Sequence, residues 1–250
     1  MTDELVHLEV ADAVATITLD SEHNRNALSR QLVTELVGHL DAADADEAVR
    51  AVLLRSAGRV FCSGADLSEA AEGSAKDTPM SMVSLLRRIA TVTKPVVVEL
   101  GGPVRAGGVG IVGAADVVVA AESVTFALTE VRLGLAPAVI SLSLLPRLAS
   151  REASDVFLTG RTFDAAEATR MGLITRAVPD DELATRVEAV LDDLVQGYPQ
   201  GLRETKALLN HDLVARIDAL GEEMSTLSAR LFGSDEAREA MMAFLASRKK

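Results

Sequence analysis

The chain has 250 residues, of which 48% are hydrophobic, and a formal net charge of −12 at pH 7. This length and composition exclude a disordered chain and allow one domain with a substantial core, with or without an appended helical segment. The acidic balance argues against broad binding to nucleic acid or to an anionic membrane, because few basic groups are left to neutralise phosphates. A phosphate-bearing ligand therefore needs a local basic cluster.

Cysteine and histidine content restricts the chemistry further. The single cysteine, Cys62, excludes an intrachain disulfide framework and fits a reducing compartment.

The first residues lack a basic region followed by a long apolar segment, and no apolar run reaches the ~18 residues of a membrane span. The four histidines lack the spacing of metal ligands. We expect a cytoplasmic protein that binds no metal, no nucleic acid and no membrane.

Short strands and one helix form the amino-terminal part of the predicted fold. Alternating apolar residues predict strands at Leu5 to Val10, Ala13 to Leu19 and Val49 to Arg55. Helical spacing after a Ser29 cap predicts a helix to about Ala45. Small polar residues from Ser68 to Ser81 predict a mobile loop or a frayed helix, and helical periodicity resumes from Met82 to Thr91.

Two apolar strands joined by a glycine-rich turn form the centre of the chain. The runs Val96 to Leu100 and Val117 to Ala121 are rich in β-branched residues and predict buried strands. Glycines from Gly107 onward open a short helix of small residues between them. The backbone N–H groups at its start are unpaired and lie at the positive end of the helix dipole. This turn therefore predicts a site for a developing negative charge.

The same glycines also match a dinucleotide-binding pattern. Gly108, Gly110 and Gly113 fit G-x-G-x-x-G. That pattern requires its first glycine directly after a strand, whereas the predicted strand ends earlier, at Leu100. The acidic residue that should follow the next strand, Glu122, comes too soon. A dinucleotide-binding oxidoreductase is the less favoured alternative.

The carboxy-terminal part is predicted to be almost entirely helical. Pro137 opens an apolar helix that Pro146 interrupts, and a short extended piece follows two further helices. From residue 182 onward, helices are predicted at about 182–195, 201–219, 221–231 and 235–247. This pattern divides the chain into a mixed α/β core, residues 1–195, and a helical segment, residues 196–250.

Five stretches together carry a family resemblance. They are RNAL at 25–28, FCSGADL at 61–67, RAGGVGIVGAAD at 105–116, LTEVRLGLAP at 128–137 and REAMMAFLASRKK at 238–250. In this order and spacing the chain resembles the crotonase, or enoyl-CoA hydratase/isomerase, superfamily over essentially its whole length. The resemblance implies an α/β fold, a crotonase-like spiral of repeated strand-strand-helix units with a C-terminal helical segment. It also implies a homotrimer or a hexamer formed as a dimer of trimers, in which that segment acts in trimerisation or as a lid.

The resemblance further implies an acyl-CoA thioester substrate and no cofactor, since coenzyme A is part of the substrate. The backbone N–H groups of Cys62 and Gly107 would bind the thioester oxygen, each donor contributing about 3 to 4 kcal/mol. The thiol of Cys62 is expected only to fill a small apolar space. RNAL and FCSGADL resemble segments that hold coenzyme A. The residues implied in its binding are Arg25, Ala27, Cys62, Ser63, Gly64, Ala65, Asp66, Gly107 and Lys249.

The acid/base group departs from the best-known hydratases of the family, which carry two glutamates. The second is present as Glu130, but the first position is Gly110. One carboxylate suffices for a 1,3-proton shift, which favours an isomerase that converts 3-enoyl-CoA to 2-enoyl-CoA. One glutamate can also activate water and return the proton. We expect an enoyl-CoA hydratase with Glu130 as its single acid/base, with isomerisation, or coenzyme A thioester binding with little or no catalysis, as alternatives.

Two further interpretations concern single residues. Glu130 also fits a helix-start carboxylate that only stabilises the dipole. Arg105 lies shortly before Gly107, and we hypothesise that it pairs with a substrate carboxylate or with Glu130.

Overall fold

The computed structural model describes residues 4–66, 69 and 78–247. The strands in these residues are β1 (Val6–Ala11), β2 (Val14–Leu19), β3 (Ala51–Ser56), β4 (Val96–Leu100), β5 (Val104–Arg105), β6 (Val117–Ala121), β7 (Thr125–Ala127), β8 (Thr162–Asp164) and β9 (Arg176–Val178). The predicted central strands, here β4 and β6, are confirmed with the same bounds.

Helices cover the sheets and form the carboxy-terminal part. They are α1 (Arg30–Ala45), α2 (Thr78–Thr91), α3 (Gly107–Ala114), α4 (Ser141–Leu144), α5 (Ser150–Thr159), α6 (Ala165–Arg170), α7 (Leu183–Val195), α8 (Pro199–Phe232) and α9 (Asp235–Ser247), with 3₁₀ helices at Glu22–Asn24, Thr129–Leu133 and Asp180–Glu182. The Ser29 cap of α1 is confirmed, because its side chain accepts the N–H of Leu32. Within the described ranges, no helix is both long enough and apolar enough to span a membrane.

Two sheets organise the core. The larger has the strand order β1-β2-β3-β4-β6-β9, with β1 and β2 antiparallel and the remaining pairs parallel. The first three residues of β4, Val96, Val97 and Val98, have no exposed surface, as expected for a parallel sheet covered on both faces. The smaller sheet has the order β5-β7-β8. The chain thus passes from a strand of the large sheet to one of the small sheet and then into a helix, as in β4-β5-α3.

Residues 201–231 form one helix rather than two. The predicted helices at 201–219 and 221–231 are both part of α8, so the predicted break is wrong. Gly221 lies where α8 packs on α2, and a Cβ at this position would lie 2.8 Å from Val83 Cγ1. The glycine therefore allows close helix packing and does not end the helix.

Two other segments also differ from expectation. The apolar helix predicted from Pro137 is limited to α4. Residues 138–140, which precede α4, form turns with i to i+3 hydrogen bonds such as Leu142 N–H to Val139 O. Residues 68 and 70–77 of the predicted loop lie outside the described residues, whereas residues 78–81 belong to α2. The division of the chain near residue 195 stays a prediction.

Candidate active site

The small sheet brings three of the predicted site residues together. Cys62 forms an isolated parallel bridge with Val104 in β5, and β5 pairs in parallel with β7. The N–H of Ala106 donates to Ala127 O at 3.0 Å. Helix α3 begins directly after β5 with Gly107, and Glu130 lies in the 3₁₀ helix directly after β7. The strand pairing therefore places Cys62 beside β5, and Gly107 and Glu130 just beyond the carboxyl ends of the paired strands β5 and β7.

The start of α3 has the features of an anion-binding turn. Ala106, just before the helix, has φ 47° and ψ −116°, a backbone conformation that residues other than glycine seldom adopt. The N–H of Gly107 donates to no other residue in the described ranges. This donor lies at the positive end of α3 and is able to bind a ligand oxygen.

Glycines let other chain segments approach α3 closely. A Cβ on Gly107 would lie 2.6 Å from Leu28 Cδ1, and one on Gly108 would lie 2.6 Å from Cys62 Cβ. A Cβ on Gly110 would lie 2.5 Å from Cγ2 of Ile140, which is buried. Ile140 thus fills the space that a side chain at position 110 would need, and no sequence pattern predicted this long-range contact.

The two segments that resemble coenzyme A-binding motifs are joined by hydrogen bonds. The N–H of Leu28 donates to Gly64 O at 2.8 Å, and the N–H of Ser63 donates to Arg25 O at 3.1 Å. Asn24 Nδ2 donates to Asp66 Oδ2 at 3.2 Å. The loop around RNAL and the turn of FCSGADL therefore form one surface.

The predicted binding residues differ in their exposure. Ala27 and Gly64 are buried, Ser63, Ala65 and Asp66 are partly exposed, and the Arg25 side chain is exposed. Lys249 lies outside the described residues. A pocket of about 70 Å³ opens beside this surface, lined by Leu28, Ser29, Arg30, Val33, Ala65, Ser81, Met82 and Gly107. Met82 was not predicted, because helical periodicity does not distinguish a pocket residue from a core residue.

Glu130 has the environment of a group that exchanges protons. Its Oε2 is buried and has no hydrogen-bond partner among the described residues. Burial raises the pKa of Glu130 to about 7, opposed only in part by a hydrogen bond from its own backbone. The carboxyl therefore changes its protonation state close to neutral pH.

Arg105 does not pair with Glu130. Its guanidinium donates to Val104 O at 2.9 Å, to Thr125 O at 2.6 Å and to Thr125 Oγ1 at 2.9 Å. The hypothesis of an ion pair with Glu130 is therefore wrong. Arg105 connects β5 to β7 because the polar groups of Thr125 lie within its reach, whereas Glu130 lies beyond the end of β7.

Comparison with known proteins shows which family the chain belongs to. The family model of the enoyl-CoA hydratase/isomerase family matches residues 9–250. An enoyl-CoA hydratase of Mycobacterium tuberculosis is 32% identical over 246 residues, which cover 93% of this chain and 90% of the relative. A 1,2-epoxyphenylacetyl-CoA isomerase of Escherichia coli is 31% identical over 256 residues, with coverage of 98% and 97%.

A solved structure shares the whole architecture. The crystal structure of an enoyl-CoA hydratase from Mycobacterium avium has a TM-score of 0.91 and 45% sequence identity, and 98% of each chain is covered. The expected α/β crotonase fold with a C-terminal helical segment is thereby confirmed. The chain belongs to the enoyl-CoA hydratase/isomerase family of the crotonase superfamily and is an enzyme of that family.

Proposed function

We propose that this enzyme adds water to 2-enoyl-CoA thioesters with Glu130 as its single acid/base. The observation that carries the proposal is the Glu130 carboxyl itself, with a buried Oε2 that has no partner in the described part of the chain. Its pKa of about 7 lets one group accept a proton and return it at neutral pH.

The reaction divides into addition and proton return. The Glu130 carboxylate takes a proton from water while the water oxygen bonds to C3, and the C2=C3 π electrons move toward the thioester carbonyl. The backbone N–H groups of Cys62 and Gly107 stabilise the resulting enolate oxygen, each contributing about 3 to 4 kcal/mol. Protonated Glu130 then gives its proton to C2, which regenerates the carboxylate.

The coenzyme A moiety is proposed to lie on the surface formed by RNAL and FCSGADL. Backbone groups of Ala27, Ser63, Gly64 and Ala65 contact it, and Asp66 shapes the turn by accepting from Asn24. The exposed Arg25 supplies local positive charge in a chain whose net charge is −12. Lys249 is proposed to add a second positive charge. The reaction requires no cofactor beyond the coenzyme A of the substrate.

Isomerisation of 3-enoyl-CoA to 2-enoyl-CoA is the second candidate. It is favoured by Gly110, which supplies no second carboxylate, and by Ile140, which fills the adjacent space with an apolar side chain. Glu130 alone can remove a proton from C2 and return it to C4 while the same N–H groups hold the dienolate.

A paired assay separates these functions. Wild type, Glu130→Gln and the control Glu122→Gln, which changes an exposed glutamate, are each given a 2-enoyl-CoA and a 3-enoyl-CoA while the absorbance of the conjugated thioester is followed. The hydratase is supported if the 2-enoyl-CoA loses conjugation with wild type and with Glu122→Gln but not with Glu130→Gln. Gain of conjugation from the 3-enoyl substrate alone supports the isomerase. Binding of both esters without turnover supports the third alternative, a coenzyme A thioester-binding protein.

A homotrimer, or a hexamer made of two trimers, is the proposed assembly in the cytoplasm. Its support is a set of large apolar side chains that the single chain leaves exposed, namely Leu158, Tyr198, Leu208, Leu209 and Met242. Residues 196–250 are proposed as the trimerisation and lid segment. Sedimentation equilibrium tests this proposal, and a monomer at micromolar concentration contradicts it.

A further inference from the structure

The thiol of Cys62 is a buried nucleophilic group that the proposed reaction does not use. Its side chain has no exposed surface, and burial raises its pKa to about 12. The N–H of Gly64 donates to Cys62 Sγ at 3.4 Å. The neutral thiol is therefore an acceptor for the turn that follows Cys62 and not a nucleophile at neutral pH.

Packing restrains the same residue. A Cβ on Gly108 would lie 3.0 Å from Cys62 Sγ, so the thiol lies directly against the first turn of α3. The carbonyl of Cys62 accepts the N–H of Arg105 at 2.9 Å, on the strand that leads into α3. On the other side, Gly64 has φ +98°, so the turn that follows Cys62 is one that glycine adopts readily.

We propose that the Cys62 thiol is a positioning residue that holds the two donors of the oxyanion hole in register. Through Gly64 it fixes the turn next to the Cys62 N–H, and through Gly108 it fixes the first turn of α3, which carries the Gly107 N–H. The inference rests on the proposed function, in which both N–H groups bind the thioester oxygen. It gives the thiol a role beyond filling a small apolar space.

The expected effect is on kcat rather than on KM. Removing an oxyanion donor costs on the order of a hundredfold or more, so displacing one slightly should lower kcat about tenfold. The coenzyme A moiety is bound by other contacts, and these are equally strong in the ground state and the transition state. KM should therefore change less than about twofold.

The kinetic test compares three variants. Cys62→Ala removes the acceptor and should lower kcat about tenfold, whereas Cys62→Ser keeps an acceptor and should restore most of the loss. Ile17→Val is the matched control, because it deletes one heavy atom from a fully buried position on β2. It should lower thermal stability to a similar extent and leave kcat unchanged.

A spectroscopic readout does not depend on turnover. The C=O stretching frequency of a saturated acyl-CoA labelled with ¹³C at the carbonyl falls when hydrogen bonds polarise the bound thioester. Cys62→Ala should move this frequency back toward the value of free ester, and Cys62→Ser should not. If wild type fails to convert any enoyl-CoA, the proposed function fails while this measurement still tests the thiol. The inference would be overturned if Cys62→Ala kept the kcat and the carbonyl frequency of wild type. It would also be overturned if Cys62→Ser lost as much kcat as Cys62→Ala.

Discussion

Helix α3 and the 3₁₀ helix of Glu130 are held in place in different ways. Helix α3 lies within the main apolar core, and a buried polar network connects its carboxyl end to α8. Lys206 Nζ lies 2.7 Å from Asp116 Oδ2, Asn210 Nδ2 donates to Asp116 Oδ1 at 2.8 Å, and Arg147 Nε donates to Gly113 O at 3.2 Å. The position of α3, which begins with Gly107, therefore depends on the global fold.

The 3₁₀ helix of Glu130 instead packs against α9 through a separate small cluster. Its buried members are Leu135, Ala237 and Met241, with Leu133, Leu231 and Phe232 packed around them. Gly134, which ends the 3₁₀ helix, allows α9 to approach so closely that an added Cβ would lie 3.3 Å from Ala237 N. From this contrast we predict that α3 is fixed by the whole protein, whereas Glu130 is held by a local contact that opens more easily.

Removing the buried lysine should have the largest effect on stability. Lys206→Ala leaves the partly buried Asp116 carboxylate without its ion-pair partner, so we expect a loss of about 3 kcal/mol in the free energy of unfolding. Arg203→Ala, which changes an exposed arginine on the same helix, should cost less than about 1 kcal/mol. Urea denaturation measures both variants. A loss below about 1 kcal/mol in Lys206→Ala would show that the network does not anchor α3.

A methyl group on α3 should have the next largest effect. In Gly110→Ala the new Cβ meets Ile140 Cγ2 at 2.5 Å, so we expect overpacking to cost about 1 to 3 kcal/mol. Gly201→Ala in α8 is the matched control, because no atom lies within 4 Å of its added Cβ, and we expect a gain of about 0.5 to 1 kcal/mol. Thermal unfolding of the two variants should shift in opposite directions. A stabilised Gly110→Ala would contradict the close contact with Ile140.

Weakening the small cluster should have the smallest global effect. Met241→Ala removes apolar contact between α9 and the 3₁₀ helix of Glu130, and we expect the free energy of local opening to fall by about 2 kcal/mol. Amide hydrogen exchange should accelerate in α9 and at residues 129–135 but not in α3. An equal acceleration in α3 would mean that the two regions unfold as one unit.

The sequence was most informative where one residue type has one strong structural consequence. The runs of valine in β4 and β6 and the Ser29 cap of α1 predicted these elements correctly. The strands β5 and β8 span only two and three residues, which is too short for alternation to be recognised. Periodicity marks elements only when they contain several repeats.

The features that the sequence did not predict depend on contacts between residues far apart along the chain. Gly221 resembles a helix end in sequence, but its role depends on Val83, which is far away along the chain. Ile140 was not predicted beside Gly110 for the same reason, and the hydrogen bonds of Arg105 to Thr125 depend on the pairing of two very short strands. The motifs identified the candidate residues, whereas their partners required the fold.

The pH dependence of kcat/KM tests most directly whether Glu130 is the single acid/base. Burial raises the pKa of its carboxyl to about 7, and the protonated form cannot take a proton, so activity must be lost as the pH falls below this value. We predict that log kcat/KM rises with a slope of about one up to this pKa and is level above it. The Glu130→Gln variant should show no activity at any pH. A profile that is flat from pH 5 to 8 in wild type, or activity retained in Glu130→Gln, would contradict the assignment.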